Sequence, residues 1–218
     1  HTLIGNNGLT IEDLASFWQA IAKEFSTFKN IYGYGLMNEP HDLAPETKWF
    51  DMAQASINAI REVDTNTLIM VGGNDWSSAE RWIEQSDTLK FLKDPANNLA
   101  FEAHVYFDKD ASGTYKYSYE EEECYPEKGI DRVKPFVEWI KQNKFHGFIG
   151  EYGIPDNDPR WNETLDLFLG YLQENGINGT YWAAGPWWDT YFMAITPKDG
   201  KDRPQMPIIE KYTSTLKK

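Results

Sequence analysis

The sequence predicts an α/β fold built from parallel β-α units, and two observations support this prediction. Short apolar runs of strand length alternate along the chain with longer segments whose apolar residues recur at helical spacing. Strands that alternate with helices of this size are typical of parallel sheets, because a parallel connection needs a crossover segment. We count five strands and six helices in 218 residues, a length sufficient for one domain with a substantial core.

The first half of the chain begins with a predicted helix at residues 11–26, for which Thr10 is the expected N-cap. The apolar face of this helix consists of Leu14, Phe17, Trp18, Ile21 and Phe25. The elements that follow are a strand at 31–38, a helix near 46–63, a strand at 68–71, a helix near 77–86 and a strand at 99–106.

The second half opens with a polar segment that contains Gly113 and the acidic run Glu120 to Glu123, and it predicts a long loop. The acidic run is typical of a solvated loop rather than a calcium site. The remaining predicted elements are helices at 130–143, 161–175 and 206–216 and strands at 147–151 and 179–184. Five strands do not close an eight-stranded barrel, and an open parallel sheet has two bare edges.

Composition limits the classes of partner. The chain has 34 acidic and 21 basic residues, a net charge of −13, which disfavours nucleic acid and anionic membrane surfaces as partners. No apolar run is long enough for a membrane-spanning helix.

The single cysteine, Cys124, excludes an intrachain disulfide. A chain that starts at His1 without a signal segment indicates a processed or fragmentary product. Aromatic residues make up 15%, which fits a carbohydrate binder and ordinary core filling equally well.

Two glutamates occupy similar positions in the sequence. Glu39 in Gly35-Leu36-Met37-Asn38-Glu39-Pro40 and Glu151 in Gly147-Phe148-Ile149-Gly150-Glu151-Tyr152-Gly153 each stand where the chain leaves a predicted strand. Glycoside hydrolysis uses two carboxyl groups, one to protonate the leaving oxygen and one to attack or to activate water. A helix cap or a surface ion pair is the alternative for each glutamate taken alone.

With these residues the chain resembles glycoside hydrolase family 5, the retaining cellulase and mannanase family. Asn38-Glu39-Pro40 resembles the motif of the family's fourth strand, and Glu151 in FIGEYG resembles the seventh-strand nucleophile. His104 and Tyr106 in AHVYF match the sixth-strand His-x-Tyr, in which the tyrosine lies next to the nucleophile. Trp182 in TYWAAG matches the eighth-strand tryptophan that carries a sugar ring.

The resemblance implies a (β/α)8 TIM barrel of which this chain contains only the C-terminal five strands and six helices. Residues 1–218 then form a single partial catalytic domain, from the third helix through the eighth. The resemblance assigns Glu39 as the acid/base and Glu151 as the nucleophile. The first three strands are absent, so we expect an N-terminal fragment as a partner that supplies them. Whether His1 ends the third strand is left open.

The remaining expected site residues are substrate contacts. Asn38 donates its amide to a sugar 2-hydroxyl or simply forms a turn, and His104 binds substrate or orients the acid. The Tyr106 hydroxyl steadies the charge of the nucleophile, or its ring packs in the core. Candidate sugar platforms, each with a core role as the alternative, are Trp182, Trp76, Trp187 and Trp188. The four histidines have no ligand-like spacing, so neither a metal nor another cofactor is expected.

These residues predict a retaining endo-β-1,4-glucanase that acts on cellulose or mixed-linkage β-glucan, the expected polysaccharide partner. An endo-β-mannanase with the same catalytic pair is the first alternative. A non-catalytic carbohydrate-binding half-barrel is the second, because a catalytic pair without its supporting residues is a poor catalyst. A polymeric substrate does not enter cells, so we expect a secreted, extracellular protein.

Overall fold

The computed structural model describes residues 4, 8–44 and 47–213. His1 and its possible place at a strand end therefore lie outside the described residues. Within the described part of the chain, no helix is both long enough and apolar enough to cross a bilayer.

Five strands form one sheet in the order of the sequence, and their pairing confirms the predicted α/β class. The strands are β1 (Gly33–Gly35), β2 (Leu68–Gly72), β3 (Leu99–Tyr106), β4 (His146–Gly153) and β5 (Asn178–Tyr181). The β1–β2, β2–β3 and β4–β5 pairs are parallel. Strand β3 has the predicted bounds, whereas β1 is much shorter than the predicted 31–38.

The helices follow the predicted order with one correction. They are α1 (Ile11–Phe25), α2 (Trp49–Arg61), α3 (Asn74–Ser77), α4 (Trp82–Ser86), α5 (Lys128–Asn143), α6 (Arg160–Glu174) and α7 (Met206–Tyr212). Short 3-10 helices span Asp87–Phe91 and Pro186–Trp188. The single helix predicted near 77–86 is wrong, because Ser78 has an extended ψ of 116° and the chain is helical only at 74–77 and 82–86. The described residues thus contain seven α-helical segments rather than six.

The chain divides into two compact units. Unit 1 comprises residues His1–Ala103 and Glu138–Gly147, and unit 2 comprises His104–Val137 and Phe148–Lys218. In unit 1, the Thr10 hydroxyl accepts the backbone N–H of Asp13, which confirms the predicted cap of α1. The buried Trp49 of α2 donates its indole N–H to the carbonyl oxygen of Gly72, 2.7 Å away, and so attaches the helix to the end of β2.

The predicted apolar face of α1 is only partly correct. Helix α1 packs against α2 and buries Ala22 completely, but Phe17 is 56% exposed and Phe25 is 36% exposed. Phe28 and Tyr32, which follow the helix, are 51% and 70% exposed. Helical spacing predicts which residues share a face but not whether another element covers that face. Unit 1 therefore presents a group of exposed aromatic rings.

In unit 2, the predicted long loop between β3 and α5 is built around two buried carboxylates. Asp108 is 1% exposed, and Glu122 is 3% exposed. The Glu122 carboxylate accepts the backbone N–H groups of Lys109 (2.8 Å) and Tyr117 (2.9 Å). The expectation that the whole acidic run is solvated is therefore wrong for Glu122, because unpaired backbone donors in a folded loop require an acceptor.

Candidate active site

The segment that carries Glu39 is fixed from two sides in unit 1. The backbone N–H of Leu36 donates to the carbonyl oxygen of Met70 on β2 at 3.0 Å, which continues the parallel pairing beyond Gly35. The indole N–H of Trp18 on α1 donates to the carbonyl oxygen of Leu36 at 3.1 Å. These two bonds hold the chain three residues before Glu39, which therefore lies in an anchored loop beyond the strand rather than at its end.

The backbone at Glu39 has an uncommon conformation. Its φ is 44°, in the left-handed region that a glutamate rarely occupies. Pro40 on one side is buried, while Asn38 on the other is exposed and Glu39 itself is half-buried. A Cβ atom at Gly72 would lie 3.1 Å from the carbonyl oxygen of Met37, so the end of β2 packs closely under this loop. Such strained positions persist where the surroundings determine them, and they cluster at functional sites.

Unit 1 also presents a flat aromatic surface formed by Trp76 and His41. Their rings stack with centroids 4.5 Å apart and an interplanar angle of 15°. Trp76 is 43% exposed, and an ion pair between Asp75 and Arg81 holds the turn that carries it. An exposed indole face suits the C–H face of a pyranose ring. The sequence pointed to Trp76 but not to His41.

In unit 2, Glu151 lies at an irregularity in β4. The register between β4 and β5 shifts between Ile149 and Tyr152, and Glu151 lies inside this shift. The Thr180 hydroxyl donates to the carbonyl oxygen of Gly150 there. A Cβ atom at residue 179 would lie 2.7 Å from the carbonyl oxygen of Ile149, so Gly179 permits the close approach of β5. Bulges of this kind change the direction of a side chain and are frequent beside active sites.

The carboxylate of Glu151 is held by side chains from the end of β3. The Tyr106 hydroxyl donates to Glu151 Oε2 at 2.7 Å, and His104 Nδ1 lies 3.7 Å from the same oxygen. Burial, followed by the negative charge of Glu151, raises the pKa of Tyr106 far above its usual value. Tyr106 therefore remains a hydrogen-bond donor throughout the physiological pH range, which favours the ionised form of Glu151.

The predicted sugar-platform tryptophans of unit 2 differ in their surroundings. Trp182 follows β5, and its backbone N–H donates to the carbonyl oxygen of Tyr152 at 2.8 Å. The rings of Trp182 and Trp188 pack with centroids 4.9 Å apart at an angle of 66°. Trp187 is 89% exposed. An indole that loses so little solvent contact on folding contributes little to the core, so the core alternative does not apply to Trp187.

A match to a protein-family model identifies the family of this chain. The model for "Cellulase (glycosyl hydrolase family 5)" matches residues 1–187 of the chain. The chain belongs to glycosyl hydrolase family 5. The predicted family is thereby confirmed.

Named relatives and solved structures of this family agree with the assignment. Endo-beta-1,4-glucanase B of Emericella nidulans is 36% identical over 193 residues, which cover 86% of this chain and 56% of that protein. Endo-beta-1,4-glucanase B of Aspergillus niger is 33% identical over 205 residues, or 92% of this chain and 59% of that protein.

The structure of Pseudomonas stutzeri endoglucanase Cel5A in complex with cellobiose superposes with a TM-score of 0.90 at 42% identity, covering 98% of this chain and 64% of that one. The fold is therefore part of the (β/α)8 barrel of family 5 cellulases, as predicted. The family 5 chain spans less than two thirds of the length of these relatives.

Three features of this family 5 chain were not apparent from the sequence. His41 was not among the expected site residues, and its place directly after the Asn-Glu-Pro motif is the one signal that could have identified it. The register shift at Glu151 has a weak signal in Gly150 and Gly179, since glycine within a strand often marks a bulge. The third feature is Tyr115, in the loop after β3, whose hydroxyl hydrogen-bonds to the backbone of Phe107 and of Gly153. It had no signal beyond its aromatic character, because Gly153 is remote from it in the sequence.

Proposed function

We propose that this chain is part of a retaining endo-β-1,4-glucanase that hydrolyses cellulose or mixed-linkage β-glucan. One observation carries the proposal: the buried hydroxyl of Tyr106 donates to the carboxylate of Glu151 at the bulge of β4. A carboxylate that accepts a hydrogen bond from a protonated phenol suits a nucleophile. The similarity to proteins named endo-beta-1,4-glucanase supports a β-1,4-glucan as the substrate.

In the proposed reaction, Glu151 attacks the anomeric carbon while Glu39 protonates the glycosidic oxygen, so that the leaving chain departs as an alcohol. The glycosyl-enzyme ester at Glu151 then reacts with a water molecule, from which Glu39 removes the proton. Both carboxyl groups return to their initial protonation states, and the anomeric configuration is retained after two inversions. The position of both glutamates at or beyond the carboxyl ends of parallel strands supports these roles.

The roles proposed for the other site residues follow from their positions and their side-chain chemistry. Asn38 precedes Glu39 on an exposed part of the loop, where its amide can donate to the sugar 2-hydroxyl. His104 is buried, with Nδ1 3.7 Å from Glu151 Oε2, and there it binds substrate or orients the acid. Trp182, Trp76 and Trp187 provide faces for sugar rings, the last two being well exposed.

Replacement of Trp187 by alanine tests the platform role. We expect KM for a long β-glucan to rise about 5- to 150-fold, because burial of the indole face against one sugar ring contributes roughly 1–3 kcal/mol. The melting temperature should not change, since the side chain is 89% exposed. The control is Phe91→Ala, which removes an aromatic ring of unit 1 that is 59% exposed and has no proposed role. An unchanged KM in Trp187→Ala would remove Trp187 from the proposed cleft.

Comparative hydrolysis of carboxymethylcellulose, barley β-glucan and galactomannan tests the substrate class. Glucose and mannose differ only in the orientation of the 2-hydroxyl, and the same catalytic pair serves both. We expect turnover of the two glucans and little turnover of galactomannan. A preference for galactomannan would support the mannanase alternative, and tight glucan binding without turnover would support the non-catalytic one.

We also propose that polypeptide outside residues 1–218 supplies the first three strands of the barrel, as a separate N-terminal fragment or as preceding chain. The relatives are longer than this chain, and β1 is an edge strand of the described sheet. The exposed rings of Phe17, Phe28 and Tyr32 provide apolar surface in unit 1 for additional elements. Since the proposed substrate is a polymer, we propose an extracellular location.

The isolated segment 1–218 tests this partnership. We expect it to aggregate or to unfold without cooperativity, because bare strand edges and exposed aromatic rings associate. Native mass spectrometry of the natural protein should show either a longer chain or a second polypeptide bound in a one-to-one ratio. A monomeric segment 1–218 with a single cooperative melting transition would contradict the proposal.

A further inference from the structure

A single phenol oxygen joins the ends of the two strands that carry Tyr106 and Glu151. The hydroxyl of Tyr115 accepts the backbone N–H of Phe107 at 2.9 Å and donates to the carbonyl oxygen of Gly153 at 2.6 Å. Phe107 directly follows Tyr106, and Gly153 is the last residue of β4, two residues after Glu151. Tyr115 therefore sets the spacing between the two strands next to the Tyr106–Glu151 hydrogen bond.

The position of Tyr115 is itself determined by Asp108. The buried carboxylate of Asp108 accepts the backbone N–H groups of Gly113 (3.0 Å), Thr114 (3.0 Å) and Tyr115 (3.2 Å). The Ser112 hydroxyl donates to the same group at 3.1 Å. These bonds fold residues 108–115 into a tight loop, in which Tyr115 has a φ of 43°. Its ring meets Trp161 edge to face, with centroids 4.9 Å apart.

The same loop touches Tyr106 directly. A Cβ atom at Gly113, whose φ is 73°, would lie 3.0 Å from two atoms of the Tyr106 ring, so the bare glycine packs against that ring. Arg132 donates to the Tyr106 carbonyl oxygen and, at 3.0 Å, to that of Lys109. The backbone and the ring of Tyr106 are thus both held by residues outside its strand.

We propose that Tyr115, presented by the loop 108–115, is a positioning residue that keeps the Tyr106 hydroxyl on Glu151. The inference rests on the proposed function, in which Glu151 is the nucleophile. Tyr115 does not touch the reacting atoms and acts through the strand ends. Burial raises the pKa of Tyr115 well above its usual value, so its hydroxyl keeps the proton that it donates to Gly153 across the working pH range.

The test is Tyr115→Phe in the longest natural polypeptide that contains this chain. The substitution keeps the ring against Trp161 and removes only the bridging oxygen. We expect kcat for β-glucan to fall about 10- to 100-fold with little change in KM, because small displacements of catalytic groups cost this much. The acid limb of the kcat/KM profile should move to higher pH, because a hydrogen bond to the ionised carboxylate favours ionisation.

Tyr119→Phe is the matched control. Tyr119 lies in the same polypeptide segment, is 6% exposed and packs against the same Trp161, with ring centroids 4.7 Å apart. Its hydroxyl pairs with Thr164 Oγ1 at 3.0 Å. Both variants lose one buried hydroxyl, so both should melt at a lower temperature. Only Tyr115→Phe should change kcat and the low-pH limb of the kcat/KM profile. Equal kinetics in the two variants would overturn the proposal.

A crystal structure of Tyr115→Phe separates failure of this inference from failure of the proposed function. The distance from Tyr106 Oη to Glu151 Oε2 should lengthen beyond hydrogen-bonding range, about 3.2 Å. An unchanged 2.7 Å bond would overturn the positioning role whatever the activity. If Glu151→Gln retains turnover, the proposed function fails, and this distance alone decides the role of Tyr115.

A second variant covers the case in which Tyr115→Phe does not fold. Gly113→Ala keeps the Tyr115 side chain but places an alanine at a φ of 73° and pushes a methyl group against the Tyr106 ring. We expect the same shift of the acid limb and a similar loss of kcat. Wild-type kinetics in Gly113→Ala would show that the loop does not control Tyr106.

Discussion

Replacement of Glu151 by glutamine is expected to abolish hydrolysis of β-glucan, with kcat reduced by about 10⁴-fold or more, as when the nucleophile of another hydrolase is removed. An amide cannot form the glycosyl-enzyme ester on which the retaining mechanism depends. Glutamine has nearly the same shape, and its carbonyl oxygen can still accept the Tyr106 hydroxyl. Substrate binding and the melting temperature should therefore stay close to those of the wild type.

Kinetics on barley β-glucan, together with binding of cellotetraose by calorimetry, measure both parts of this expectation. Glu127→Gln, an exposed glutamate of the same unit, is the control and should be fully active. Azide provides a further test with Glu151→Ala, because a small anion can enter where the carboxylate stood. A single displacement by azide gives a product of inverted anomeric configuration. Near-native activity of Glu151→Gln would remove the nucleophile assignment.

Replacement of Glu39 by glutamine has the second largest expected effect, and it should depend on the substrate. Hydrolysis of the polysaccharide should fall about 10²- to 10⁴-fold, the usual contribution of general acid catalysis. Glycosides of a nitrophenol should be affected much less in the first chemical step, because their leaving group needs little protonation. In the proposed mechanism Glu39 also deprotonates the attacking water, so the glycosyl-enzyme should accumulate.

Burst kinetics with an aryl cellobioside and steady-state rates on β-glucan measure this difference. With Glu39→Ala, azide should attack the accumulated glycosyl-enzyme and give a product of retained configuration, the opposite of the outcome for Glu151→Ala. The same azide experiment thus distinguishes the acid/base from the nucleophile. Equal losses on both substrates, with no burst, would count against the acid/base role of Glu39.

The secondary structure illustrates which predictions from sequence succeed. Strand β3 was predicted with its observed bounds, because a short, mostly apolar run of strand length is a local signal. The Thr10 cap was also predicted, since a capping box lies within a few residues. The helix near 77–86 was wrong because the extended backbone at Ser78, between α3 and α4, leaves no trace in apolar spacing.

The candidate site shows the same difference between local features, which the sequence predicts, and long-range contacts, which it does not. The candidate residues Glu39, His104, Tyr106 and Glu151 could be proposed from sequence because each belongs to a short, recognisable string in or just beyond a strand. The bond between Tyr106 and Glu151 matched an expectation that came from the family resemblance. The stack of His41 on Trp76 was not foreseen, because it joins two separate loops.

The sequence by itself determined the parallel β-α class, which follows from the local spacing of apolar residues. It also indicated the family, through the resemblance of its short motifs to those of family 5, and the order of these motifs along the chain. Only the tertiary structure decided that Phe17 is exposed, that Glu122 is buried and that the register shifts at Glu151. It also decided that Tyr115 bridges the ends of β3 and β4. The physical reason is that burial, strand register and hydrogen bonds between distant residues depend on which surfaces come into contact in the folded chain. The residue pattern of a single segment does not contain this information.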